Sequence, residues 1–509
     1  MVLEDDQEKP LPQPNTSSHW RSVIHHGLIN HEVRSWHYEG SGTDLDPYVV
    51  TWIDNDPRDP KGFAPATKWF YTAVSALTLF IVTLASSGYT GGIPSMMQQF
   101  DISEELAISG VSLYVVGFAV GPIFWAPFSE VAGRQLTHLI SYSVFAAFNG
   151  GVTAAQNIET VLVCRFFAGS FGAAGLTNAA AIVADMFPPQ SRGLAMTFFS
   201  AAPFLGPVLG PITSGFISQA ARQDGWRWAS ALFTLLSVIF LILGFVIIPE
   251  TYAPVLLSAR AKTLSRATGM VYRSHFEAEG VSLSFAERMK IALTRPWRFL
   301  FGEPIIFLLS LYLSIVYAIL YLLFAAFPVV YQQEREWSQG LGGLAFAGVA
   351  VGIAAAVLLN FSINNRYQRL KNPTPESRLP PAMIGGVAIS AGLFWFAWTN
   401  GRSVHWLASI SASSVFGFGM VLIFVAINNY LVDAYLLYAA SVLAGGTVMR
   451  SLLAAAFPMF TPYMYSRLGI HWASTIPAFL SLACAPLPVI FYLYGARIRS
   501  HSWVAAQGT

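Results

Sequence analysis

From Trp69 onward the sequence alternates apolar stretches with short polar breaks, and this alternation restricts the possible folds more than any other feature. A helix needs about 20 apolar residues to cross roughly 30 Å of hydrocarbon, so each stretch predicts a membrane span. The stretches cover about 69–93, 107–128, 136–155, 159–183, 193–217, 228–248, 303–330, 342–363, 381–399, 405–429, 441–463 and 475–495. Six precede a polar segment at about 249–298 and six follow it. The prediction is an all-α integral membrane protein with twelve transmembrane helices in two six-helix bundles. Composition agrees, because charged residues make up only 11% of the 509, against about 25% in soluble domains.

This pattern divides the chain into a polar N-terminal tail (1–68), a first bundle (69–248), a central loop (249–302), a second bundle (303–495) and a C-terminal tail (496–509). Basic residues fix the expected orientation, since positive loops stay in the cytosol. With the N-terminus inside, the cytosolic segments hold 22 Lys/Arg and the outer loops only Arg222, Arg227, Arg335, Arg402 and Arg467. Both termini and the central loop are therefore expected in the cytosol. The tail contains His19, His25, His26, His31 and His37 and reads as a solvated leader, with metal or pH sensing as the alternative. It lacks the apolar core of a secretory signal, and its Asn15-Thr16-Ser17 triplet would not meet the glycosylation machinery in the cytosol. A net charge of +2 offers no surface for nucleic acid. Cys164 and Cys484, both in apolar runs, make neither a disulfide framework nor a zinc site. No phosphate loop or nucleophile elbow is present, so the reading is no enzyme, no cofactor and no metal.

Two arginines remain inside spans, Arg165 in the fourth and Arg450 in the eleventh. A charge at mid-helix costs roughly 2.5–3.5 kcal/mol on insertion scales, so each is expected to meet a cavity, a partner or backbone carbonyls. The two halves echo each other at Ile182-Val183-Ala184-Asp185-Met186-Phe187 and Tyr430-Leu431-Val432-Asp433-Ala434-Tyr435, with the aspartates 248 residues apart. Each aspartate closes a helix at the negative end of its dipole and needs a cationic or amide partner. Small residues recur every four positions at Ala202, Gly206, Gly210 and Ser214, and again at Gly348, Gly352 and Ala356, allowing close helix approach. Pro207 and Pro211 remove two hydrogen bonds from the fifth span and predict a bend near its middle. Simple packing and a sliding or gating role both fit such a helix.

These residues resemble the fungal drug:proton antiporter branch of the major facilitator superfamily. The turn running from Gly121-Pro122 to Ser129-Glu130-Val131-Ala132-Gly133-Arg134 is similar to the superfamily's loop motif, with Glu130 in place of the usual aspartate and Gln135 where a second base is common. The resemblance implies a conformational latch of Gly121, Glu130, Gly133 and Arg134. Arg165-Phe166-Phe167-Ala168-Gly169 resembles the arginine motif associated with proton transfer. Gly206-Pro207-Val208-Leu209-Gly210-Pro211 with Gly215 resembles the antiporter motif. Asp56-Pro57-Arg58-Asp59-Pro60, Trp226-Arg227-Trp228, Pro249-Glu250-Thr251-Tyr252, Glu303-Pro304 and Phe457-Pro458-Met459-Phe460 are also similar to that branch. The implied fold is the major facilitator fold, with a central cavity opening alternately to each side.

A proton-driven exporter needs a group that exchanges a proton for cargo, and no acid or histidine falls at mid-span. The candidates are the edge carboxylates Glu130, Asp185, Glu303 and Asp433, working with Arg134, Arg165 or Arg450. Two deep arginines and no deep acid disfavour cationic cargo. The expected function is proton-coupled efflux of small neutral or anionic amphipathic molecules, by a monomer in the plasma membrane. Arg165, Asn178, Tyr317, Tyr321 and Asn428 are candidate cavity contacts, with plain lipid or helix packing the dominant alternative for the tyrosines. Uptake, polyamine transport or a non-transporting sensor on the same fold are the alternatives.

Overall fold

The computed structural model describes residues 19–278, 285–370, 374–435 and 438–500. The Asn15-Thr16-Ser17 triplet and residues 501–509 of the C-terminal tail lie outside the described residues.

Two short helices, α1 (His19–Ile24) and α2 (His31–Ser35), and strand β1 (Tyr48–Val50) come before the first long helix. That helix, α3 (Pro65–Ser87), starts on a proline, whose missing N–H is harmless in a first turn. After α4 (Ile93–Phe100), Ser103 caps α5 (Glu104–Ala132) by accepting from the Leu106 N–H at 3.3 Å. Gly133, at φ +91°, turns the chain into α6 (Arg134–Ala154). Asn157 caps α7 (Ile158–Gly172), which α8 (Ala174–Met186) continues. Helices α9 (Pro189–Phe199), α10 (Ala202–Ala221) and α11 (Gly225–Ile247) complete the first half.

The central segment folds as α12 (Ala253–Thr268), strand β2 (Tyr272–Ser274), α13 (His275–Ala278) and α14 (Phe285–Gly302). The second half begins with α15 (Pro304–Phe327), which runs into a π-helix at Pro328–Glu334, and continues with α16 (Gln339–Leu344) and α17 (Ala347–Gln368). It ends with α18 (Pro380–Thr399), α19 (Trp406–Ala434), α20 (Ala439–Cys484) and α21 (Leu487–Arg499). Gly469, at φ +71°, breaks α20 into two helices.

Among the described residues nine helical segments are long and apolar enough to cross a bilayer. Two of these, Ser191–Ile247 and Ala439–Arg499, run for 57 and 61 residues and turn back, one at Arg222–Asp224 and the other at Gly469. Helix α6, bearing Arg134, Gln135, His138 and Asn149, is too polar to be among the nine. Helices α3 and α15, the first of each half, are the most enclosed, and they touch where Ser86 Oγ meets Tyr321 Oη at 3.1 Å. Helices α3 and α15 start at the face that carries the central segment. At the opposite face Trp228, Trp398, Trp406 and Trp472 are exposed at helix ends, as an interfacial aromatic belt requires.

The reading of the tail as a solvated leader needs correction for the described part. Val33, Tyr38, Val50 and Ile53 are buried against Leu257, Ala261 and Leu264 of α12. Burial of this kind stabilises by roughly 1.5–3 kcal/mol per large side chain. Strand β1 pairs in parallel with β2, with Tyr48 opposite Tyr272. Asp56 accepts from Arg260 Nη1 at 2.5 Å and Nη2 at 3.2 Å, and this ion pair is almost completely enclosed. Burial, reinforced by the like charge of Arg260, lowers the neighbouring Arg58 guanidinium to about 10, so it stays charged at neutral pH. The apolar residues of the tail looked isolated because their partners lie some 200 positions further along the chain.

Removing one member of a buried ion pair leaves an uncompensated charge, which costs about 3–5 kcal/mol. Asp56→Ala should therefore lower the thermal unfolding midpoint and expose residues 19–62 to limited proteolysis. The double change Asp56→Leu with Arg260→Met should recover most of the loss in the same assays.

Candidate functional site

At the central-segment face each half holds one arginine–aspartate pair. In the first, Arg134 Nε donates to Asp185 Oδ2 at 2.9 Å and Nη1 donates to Ser129 Oγ at 2.7 Å. In the second, Arg378 Nε donates to Asp433 Oδ2 at 2.8 Å. Each aspartate also accepts a hydroxyl, Thr251 at 3.2 Å and Tyr367 at 3.1 Å. Each guanidinium covers a ring, with Arg134 4.2 Å from Tyr252 and Arg378 3.4 Å from Tyr367. The cationic partner that a carboxylate at a helix C-terminus requires is thus supplied in the same way twice. Arg378 escaped the sequence reading, although it lies 244 residues after Arg134, close to the spacing of the aspartates.

Glu130 is exposed on the last turn of α5, so the expected latch acid is not the one against Arg134. The turn at Gly133 carries Arg134 toward α8 and Asp185 instead. A second carboxylate holds the turn from behind. Glu250 is fully buried and accepts the N–H groups of Arg134, Gln135, Thr251 and Tyr252 at 2.8–3.1 Å. It thereby caps α6 at the positive end of its dipole. A side chain on residue 133 would need a positive φ and would strike the Glu250 carboxylate, so both requirements select glycine. Gly121 lies apart from this network, where a Cβ would hit the Ser170 carbonyl. Asn178 belongs to it: Oδ1 accepts from Ser129 at 2.9 Å and Nδ2 donates to the Arg134 carbonyl at 2.9 Å. Expected in the substrate cavity, Asn178 is buried here, with its amide bracing this network through one bond at each end.

Arg165 is buried and donates to three carbonyls, Gly110 at 3.0 Å, Ala85 at 2.7 Å and Ser86 at 2.6 Å. The last two belong to the final turn of α3, where helix carbonyls lack partners. Its guanidinium lies between Tyr114 and Tyr89, at 4.2 and 4.7 Å. Arg450 is half-buried against Phe424 at 4.9 Å and Tyr317 at 5.3 Å, with one bond to Thr447 at 3.3 Å. Tyr317 stacks toward Tyr321 at 5.1 Å, and Phe204 of α10 meets Phe424 of α19 edge-on at 4.6 Å. This aromatic cluster joins the two halves around Arg450. Asn428 turns its amide back to the Phe424 carbonyl at 2.9 Å, and Glu303 is buried at the start of α15.

The glycines of α10 act as spacing predicts. A Cβ on Gly206 would collide with Thr83, and one on Gly210 with Ser87, both of α3. Gly215 points elsewhere, to the Gln339 carbonyl beside α16. The interruption in this span lies ahead of its two mid-helix prolines. The break falls at Ser200–Ala201, ahead of Pro203, and α10 runs unbroken through Pro207 and Pro211. Pro211 cannot supply the N–H that the Pro207 carbonyl would receive, and Ser87 Oγ donates there instead at 2.7 Å.

Two helical halves, each braced by its own arginine–aspartate pair, fit the architecture of repeat-built membrane transporters. The sequence profile of the Major Facilitator Superfamily matches residues 75–458, and the chain belongs to that family. It is a transporter, not an enzyme, and an integral membrane protein. It is 53% identical to a protein of Trichophyton rubrum named an MFS-type efflux pump, over 99% of this chain and 85% of that one. It is 49% identical to a major facilitator superfamily multidrug transporter of Aspergillus fumigatus, over 98% and 82%, and 45% identical to an efflux pump of Fusarium oxysporum, over 98% and 84%. Among solved structures, the proton:xylose symporter XylE superposes with a TM-score of 0.61 at 15% identity, over 85% of this chain and 96% of that one, a likeness of fold alone.

Ser87→Ala should leave the Pro207 carbonyl unpaired and lower stability by about 1–3 kcal/mol, read as a fall in unfolding midpoint. Arg165→Lys removes a fork that reaches three carbonyls, each bond to a charged group being worth about 1.5–3 kcal/mol. It should destabilise more than Ser87→Ala in the same measurement, although the charge is kept.

Proposed function

We propose that the protein exports small neutral or anionic amphipathic molecules across the plasma membrane by alternating access, in exchange for protons. In this reading the chain is a monomer that crosses the bilayer twelve times with both termini in the cytosol, so the face with the two arginine–aspartate pairs is cytosolic. The names of the fungal relatives support efflux as the direction. The observation that carries the mechanism is the duplicated pair itself, Arg134–Asp185 and Arg378–Asp433. Each pair braces one half internally, which suits halves that rock as rigid bodies about a cavity between them.

The carboxylates of these pairs are the proton carriers in this proposal. Protonating Asp185 or Asp433 weakens its hold on the facing guanidinium, so proton occupancy and the fixing of the helix ends are linked. Arg450, between Tyr317 and Phe424, supplies the cationic contact that favours neutral or anionic cargo at the centre.

Inverted vesicles loaded through a pH gradient test the reading with a fluorescent amphipathic anion as cargo. Asp185→Asn and Asp433→Asn should each reduce gradient-driven transport by about tenfold or more, the value of one charge-assisted bond, with membrane insertion intact. Full activity in both variants would overturn the proposed carriers, and loss confined to Glu130→Gln would move the proton role to Glu130.

A further inference from the structure

The helix just ahead of the second half, α14, presents three different faces along its length. One is docked on the protein: Phe299 and Leu300 are buried, the Phe299 ring lies 5.1 Å from that of Tyr438, and the Pro296 carbonyl lies against Gly445 of α20. The second is an apolar stripe of Leu293, Trp297 and Phe301, one residue in every four, and all three are exposed. The third carries Lys290, Arg295 and Arg298, also exposed, with Arg295 over the Tyr438 ring at 5.7 Å. At about 100° per residue the stripe runs beside the docked face, and the basic residues lie on the side away from it.

Position and charge together say what covers this surface. Helix α15, apolar enough to span the bilayer, starts at Pro304 directly after α14 and Glu303, so the end of α14 stands at the bilayer surface. The stripe continues onto that span, since the Phe301 ring is 6.2 Å from Phe307, and Trp297 stacks on Phe301 at 6.2 Å and 10°. Exposed tryptophan and phenylalanine at this level belong to the boundary between headgroups and acyl chains. The charge of α14 is one-sided, with Glu287 its single acid against Arg288, Lys290, Arg295 and Arg298. The whole chain carries only +2, so this excess is local. A basic face beside an aromatic stripe is the pattern of a helix lying in an anionic membrane surface.

We propose that α14 is a binding surface for anionic phospholipid. The headgroup anion pairs with Lys290, Arg295 and Arg298, and the acyl chains lie along Leu293, Trp297 and Phe301. Helix α14 packs on α5 of the first half and on α20 of the second, so a lipid held there rests at the seam between them. The site depends neither on the cargo, nor on the direction of transport, nor on the proton carrier. An apolar stripe that merely sits in lipid would show no preference between charged and neutral headgroups.

Trp297 is itself the reporter for the test. The purified full chain is placed in phosphatidylcholine nanodiscs that contain either phosphatidylserine or phosphatidylcholine with brominated acyl chains, which quench an indole they touch. Quenching that is missing from Trp297→Phe belongs to this residue. Brominated phosphatidylserine should be preferred at Trp297 by about fivefold or more, the factor that one base near an anionic surface contributes. Lys290→Gln combined with Arg295→Gln should bring the two lipids within about twofold of each other. Arg266→Gln combined with Arg273→Gln, at exposed bases of the central segment outside α14, should leave the preference as it is. Raising the salt from about 0.1 to 1 M shortens the screening length from about 10 to 3 Å and should erase most of the preference in the unaltered chain, an arm that needs no substitution at the basic residues. Equal quenching by the two lipids in the unaltered chain would overturn the proposal, as would no quenching of Trp297 by either, a preference indifferent to salt, or an equal loss in the Arg266 and Arg273 variant.

Discussion

Inside hydrocarbon no water is available to complete a polar group, so each guanidinium, carboxylate or orphaned backbone group must be met by another from the protein. Arg165 shows how the structure satisfies this constraint. Its fork takes up the Ala85 and Ser86 carbonyls that the end of α3 leaves open, and the Gly110 carbonyl of α5, while Tyr89 and Tyr114 cover the guanidinium faces. An arginine that costs several kcal/mol to insert becomes the cap of one helix and the tie to another. The same pairing of a costly side chain with an orphaned backbone group recurs at Glu250, which collects four N–H groups, and at Ser87, which replaces the donor missing from Pro211.

This way of satisfying the backbone separates what is rigid from what can slide. Within the first half, α10 meets α3 through glycine contacts so close that a methyl group would collide, and Ser87 and Thr83 lock their register. Between the halves close glycine contacts recur at the opposite face, but few of the described hydrogen bonds cross. At the centre the contacts are aromatic edges around Phe204 and Phe424, and at the opposite face they are Gly343 on the Pro211 carbonyl and Gln219 on the Gly340 N–H at 3.0 Å. Helix α10 therefore belongs firmly to one half and borders the other through few directional bonds.

Much of this could be read from the residues. Apolar length predicts the helices, the small-residue stripes predict which face of α10 and α17 packs closely, and the 248-residue echo singles out Asp185 and Asp433 before any partner is known. The less legible features share one physical cause, namely that a partner distant in sequence decides the role of the residue. Glu130 seemed the natural mate of Arg134, but the carboxylate that Arg134 Nε bonds is Asp185, 51 positions further along. Asn178 looked available for cargo because its bonds to Ser129 and to the Arg134 carbonyl cross 44 or more positions. Pro207 and Pro211 bend a helix in isolation, but here a serine from α3 supplies the absent donor.

The tail gains its significance from the same rule. Glu250, which fixes the start of α6 and so the position of Arg134, stands just ahead of α12, and α12 is the helix against which the tail packs. Asp56 of the tail holds Arg260 of α12, and His26 lies 2.9 Å from the Gln135 amide, next to Arg134. This network is therefore three pieces of chain, the α5–α6 turn, the central segment and the tail, each satisfying charges that the others bury. A motion that carries the start of α6 away must either take Glu250 and α12 with it or break the two N–H bonds that Arg134 and Gln135 donate to that carboxylate. At roughly 1.5–3 kcal/mol for each bond to a charged group, the first course is favoured. The central segment is thereby tied to the first half through Glu250, and it meets the second along α14, where the Pro296 carbonyl lies against Gly445 of α20.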